Sequence, residues 1–155
     1  MNKKAVELRK ALDILHLAGF EEHVIDDEFQ TVIFCSNMEI NGHLLPITIH
    51  TSNAIYVIFR VLIVQQAVTK GTEKIILEYL NELNAQYRMF KYYTNEQGDF
   101  MLECCINLAV KEALQPAFIM DVMNMLVEHL SGEYGTIMKK IWAHSRFDKQ
   151  RTKIE

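Results

Sequence analysis

The sequence predicts an α+β domain: an antiparallel five-stranded sheet, a three-strand meander plus a hairpin, with N-terminal, central and long C-terminal helices in the order α-β-β-β-α-β-β-α. Three observations carry this. Phe100, Leu102, Cys104, Ile106 and Leu108 alternate with period two, as on a strand with one buried face. Ile75, Ile76, Tyr79, Leu80 and Leu83 recur at helical spacing just upstream. Asn41-Gly42 stands between two β-rich runs and suits a type I′ turn, which needs positive φ at both central positions.

Taken in order, Asn2 to Ala18 reads as a helix with the stripe Ala5, Leu8, Leu12, Leu15 and with Gly19 at its C′ position. Glu21 to Glu28 reads as an acidic, solvated connection without the Asp-x-Asp spacing of a calcium loop. Phe29 to Ile40 is β-rich. The two-residue turn then pairs Met38 with Leu45, Ser36 with Ile47 and Phe34 with Ile49. Pro46 has no N–H to give a ladder, so its strand is expected to be unpaired on one side there.

Ala54 to Gln66 is a long strand, apolar on both faces for much of its length, as strands covered on both sides are. Either a helix reaches round to the second face or another chain covers it. Thr72 is expected to cap the central helix, with Glu73 in its first turn. Arg88 to Thr94 and Phe100 to Leu108 form the hairpin through Asn95-Glu96-Gln97-Gly98, pairing Thr94 with Phe100, Tyr92 with Leu102 and Phe90 with Cys104. Ala109 to Gln115 is a connection. Pro116 opens a helix striped by Phe118, Val122, Leu126 and Leu130, which Ser131-Gly132 is expected to kink or break. Residues 1–144 make one domain and 145–155 a charged, frayed tail. The placement of the hairpin beside the meander is left open.

Half the residues are hydrophobic and 23% are charged, in keeping with one real core in 155 residues. A net charge of −4 disfavours nucleic acid, whose phosphates call for a concentrated basic surface. The start, Met-Asn-Lys-Lys, lacks the apolar run of a signal peptide, and the run Ile55 to Val64 is too short to span a bilayer. Three cysteines with no even pairing suggest a reducing, cytoplasmic setting.

Residues that carry chemistry do not converge in the sequence. Cys104 and Cys105 are adjacent on a strand and point to opposite faces, Cys104 into the core. The six histidines form no HxH, HxxxH or HExxH, so no metal site is expected. Lys70-Gly71-Thr72 lacks the first glycine of a phosphate loop, and no cofactor is expected. Met120, Met123, Met125 and Met138 are either core filler or an adaptable binding face.

Leu83-Asn84-Ala85-Gln86-Tyr87-Arg88, then Lys91, the turn ending at Gly98, and Leu102-Glu103 resemble the YbjN family, described as putative bacterial sensory transduction regulators. The order of elements resembles the type III secretion chaperone-like fold. The likeness runs from about Phe29 to Trp142, and Gln97-Gly98 stands where family members often have Asp-Gly. It implies no catalytic residues. It implies instead a bacterial protein-binding module, chaperone-like or a regulatory adaptor, that dimerises and docks a protein or peptide. Met120, Met123, Val127, Tyr56 and Ile58 are the candidate partner-binding residues. A small-ligand sensor, or a small enzyme with a site assembled from distant residues, is the alternative.

Overall fold

A computed structural model describes residues 2–108 and 113–151. Among these residues three helices, α1 (Lys3–Ile14), α2 (Glu73–Gln86) and α3 (Pro116–Arg151), accompany six strands. The strands are β1 (Glu21–Val24), β2 (Val32–Ile40), β3 (His43–Thr51), β4 (Tyr56–Val64), β5 (Lys91–Thr94) and β6 (Phe100–Asn107). All neighbours are antiparallel, in the order β1-β2-β3-β4-β6-β5. The hairpin thus joins the meander through its second strand, leaving β5 at the edge.

The α+β class holds, but the sheet has six strands rather than five. The extra one is Glu21–Val24, taken from the sequence as a loop. All four of its residues are exposed, so no alternation marks it. It pairs with Val32 to Cys35, and the Arg9 guanidinium grips both Glu22 carboxylate oxygens, at 2.5 and 2.6 Å. Charged side chains on a short edge strand also discourage pairing with other chains.

Both hairpin registers agree with the turn chemistry. Met38 pairs with Leu45, and Tyr92 with Leu102. Asn41 and Gly42 take φ of 50° and 81°, as a type I′ turn demands, and Gly98 takes 80°. Pro46 faces Asn37 on β2, while the ladder to β4 begins one residue later at Ile47. Strand bounds are tighter than expected: β2 begins at Val32, β4 spans Tyr56–Val64 with a bulge near its end, and β5 begins at Lys91.

α1 is shorter than Asn2 to Ala18. It closes at Leu15 in a Schellman motif, with the His16 N–H on the Asp13 carbonyl and the Leu17 N–H on the Leu12 carbonyl. The C′ residue is His16, at φ 53°, not Gly19. Asn2 caps the start by accepting from the Ala5 N–H at 3.0 Å, and its amide donates to Thr51 and Gln30. Thr72 does not cap α2 with its side chain. Its hydroxyl turns back instead to accept from the Thr69 N–H at 2.8 Å.

Ser131-Gly132 does not break α3, which is a single helix of 36 residues. The Asn41 amide donates to the Ser131 carbonyl and ties the β2–β3 turn to the middle of this helix. The helix passes Ser145, where a frayed tail was expected, and runs to Arg151. Within the expected connection Ala109 to Gln115, positions 109–112 lie outside the described residues.

One face of the sheet forms the core. Phe34, Ile47, Ile49, Phe59, Val61, Phe100 and Leu102 meet Leu8 and Leu12 of α1, Ile76 and Leu83 of α2, and Ile119, Leu126, Leu130 and Ile137 of α3. Every helix contributes its apolar stripe to that same layer. The opposite face of the sheet, the outer face, remains.

Candidate functional site

Strand pairing arranges the outer face in rows. Opposite residues on neighbouring strands project to the same side, so the registers link Glu21, Cys35, Thr48, Arg60, Glu103 and Lys91 in one line across all six strands. A second line runs His23, Ile33, His50, Ile58, Cys105. On the other side of the polar line, Leu62, Met101 and Tyr93 face one another, with Asn37 and Pro46 paired farther along. A charged line is therefore flanked by two lines rich in apolar groups.

The middle of the polar line is tightly bonded. Arg60 donates to one Glu103 oxygen through Nε at 3.0 Å and Nη2 at 2.9 Å, and Lys91 stands 3.9 Å from the other oxygen. Glu103 is only 8% exposed, a charge kept from water by its partners. Thr48 Oγ1 and His50 Nε2 are hydrogen-bonded at 2.9 Å. Burial, reinforced by the Arg60 cation and opposed by Glu103, pushes the His50 pKa down to about 4. A trough of about 480 Å³ crosses this region, with Ile33, Cys35, Leu62 and Met101 as its apolar lining.

A hydroxyl against an imidazole is how a nucleophile–base pair begins. A ring with so low a proton affinity is a weak base near neutrality, however. Arg60 is engaged by Glu103.

Of the five residues singled out from the sequence, Tyr56 and Ile58 lie on this outer face, Tyr56 at 45% exposure. Met120, Met123 and Val127 lie on α3, in the layer on the other side of the sheet. Met123 packs against the core, Met120 is half-buried and Val127 is 37% exposed. The two groups do not form one surface. Met125 and Met138 also pack against the core, so most of the methionine run acts as filler.

Sequence reasoning missed Thr48, His50, Arg60 and Glu103 as a group. Arg60 lies within the apolar run Ile55 to Val64, where no partner for it is visible locally. Its partner follows from the registers once β4 is known to neighbour β6.

A second cluster locks α3 to the hairpin. The His129 ring stacks on Phe90 at 4.1 Å, meets the edge of Tyr87 at 4.5 Å, and its Nε2 lies 2.6 Å from the Tyr92 hydroxyl. Tyr87 donates its hydroxyl to Glu133. Asn84 accepts from the Tyr92 N–H at 2.7 Å and donates to its carbonyl at 2.9 Å, clamping the end of α2 to β5. The Leu83 to Arg88 segment therefore has structural work to do at this junction.

Among the described residues no group of three or more His, Cys, Asp or Glu could hold a metal ion, and no helix is long and apolar enough to cross a membrane. No known protein family matches the chain, and no curated protein does.

Proposed function

We propose that the chain is a non-enzymatic protein-binding module, a chaperone-like or regulatory adaptor of the YbjN kind, that works as a homodimer in the cytoplasm. One observation carries the reading. The outer face of the central strands bears Ile33, Ile58, Leu62 and Met101, and all the helices pack on the other face. Apolar side chains on a sheet face that no described helix covers, here two lines parted by the Arg60–Glu103 line, support a site of protein contact. Ile58, the third residue of β4 and half-buried on this face, is the residue to change.

Light scattering on the wild type and on Ile58→Asp tests the reading. The expected result is a wild-type dimer and a monomeric variant whose circular dichroism is unchanged. A wild type that stays monomeric at every concentration sinks the homodimer. A variant that dimerises like the wild type moves the contact away from this face.

A further inference from the structure

We propose that a second copy of the chain packs on the outer face, sheet against sheet, about a two-fold axis that runs parallel to the strands. The inference rests on the reading of this face as self-associating and goes beyond it by fixing how the two copies meet.

The charged line decides the orientation. Across the six strands it reads Glu21, Cys35, Thr48, Arg60, Glu103, Lys91, in spatial order from β1 to β5. A two-fold axis along the strands, at the centre of the sheet between β3 and β4, reverses this order in the second copy. Lys91 then meets Glu21 of the second copy, Arg60 meets Thr48, and Glu103 meets Cys35, each twice by symmetry. No like charges are opposed. An axis across the strands that coincides with this line places each of its residues on its own counterpart: Lys91 on Lys91, Arg60 on Arg60, Glu103 on Glu103, Glu21 on Glu21. Like charges brought together at an interface strongly disfavour a pairing.

The flanking lines agree. Under the axis along the strands, Ile33 falls opposite Cys105 and His50 opposite Ile58, while Leu62 and Met101 fall opposite the Pro46 and Asn37 side of the other copy. Apolar groups thus cover the tightly bonded Arg60–Glu103 pair from both sides. Six strands of four to nine residues, at about 4.8 Å spacing and about 3.4 Å rise per residue, project a footprint of about 700 Å². Once side-chain relief is added to that projected area, it is comparable with the about 800 Å² per partner of a stable complex. Face-to-face sheets lie about 10 Å apart and about 30° from alignment, within reach of a lysine and a glutamate at the rims.

Lys91 and Glu21 are both exposed, so each can be reversed without opening the core. Sedimentation equilibrium on Lys91→Glu and on Glu21→Lys is expected to show each weakening the dimer at least tenfold. An equimolar mixture of the two variants restores wild-type affinity, because both rim contacts become opposite pairs again. The variant carrying both changes does the same. If local damage lowers the melting temperature of either reversal, Lys91→Gln and Glu21→Gln replace them. Their losses are then expected to be non-additive, as for partners in one contact. A mixture no tighter than the single variants overturns the arrangement and leaves the homodimer standing. So does Lys91→Glu binding wild type more tightly than wild type binds itself, since that requires Lys91 to face Lys91. A wild type that never dimerises sinks the homodimer reading itself.

Discussion

At Tyr79 a phenol ring lies almost wholly inside the protein, with the Lys140 ammonium 5.3 Å above it and no hydrogen-bond partner for its hydroxyl. Burial, aided by the Glu133, Tyr87 and Glu82 charges, pushes its pKa up to about 12, so the group stays neutral. An unpaired buried hydroxyl costs stability, and removing it costs only the shape it fills. Tyr79→Phe should therefore leave stability unchanged or raise it by up to about 1 kcal/mol in urea denaturation; a loss of that size refutes the account. His50 makes the opposite kind of statement. Its folded pKa of about 4 lies below the usual 6.5, so the unfolded chain binds the proton more readily. The stability it contributes is complete above about pH 6.5 and declines as the pH falls towards 4. Solvent screening of this partly exposed ring keeps the loss below about 3 kcal/mol. Burial lowers the His129 pKa as well, against the pull of Glu133, so wild type alone does not isolate one ring. The measurement is the difference in denaturation free energy between about pH 7 and pH 5 for wild type and His50→Gln. The variant should show the shallower slope; equal slopes refute the assignment.

Two glycines show how much an element's backbone decides. Gly98 has φ +80°, and a Cβ there would stand 3.2 Å from the Val68 carbonyl oxygen. Gly132 lies inside α3, and a Cβ there meets nothing within 4 Å. Gly98→Ala should cost about 1–3 kcal/mol through strain at a positive φ, whereas Gly132→Ala should stabilise by about 0.5–1 kcal/mol through helix propensity. Chemical denaturation of the two variants checks both signs, and a stabilised Gly98→Ala would contradict the turn. At this scale the sequence was legible wherever local chemistry decided the outcome. Asn41-Gly42 set one register, and the Asn95 to Gly98 turn set the other. It was not legible where a partner far along the chain decided. β1 exposes all its residues and shows no period; pairing with β2 and the Arg9–Glu22 contact hold it. Thr72 looks like a cap, but Thr69 takes its hydroxyl. Ser131-Gly132 looks like a break, but the stripe Leu126, Leu130, Tyr134, Ile137 is buried against the sheet and carries the helix through.

For the molecule as a whole, the two-sided apolar character of β4 divides between the layers: Val57, Phe59 and Val61 are buried in the core, while Tyr56 and Ile58 lie on the outer face. The charged line across that face was hidden, because it exists only once six strands take their places side by side. Glu21 and Lys91 are 70 positions apart in sequence yet mark the two ends of one row. The tether from Asn41 to Ser131 spans a similar gulf and bears on how the chain is made. α3 is synthesised after all the other described elements, and it packs against β2, made much earlier. A growing chain on the ribosome must hold Phe34, Ile40, Ile47 and Ile49 without their lid until the final third emerges. Exposed hydrophobic surface of that kind invites aggregation, so the emerging meander is the stage of this protein's life most in need of a folding helper.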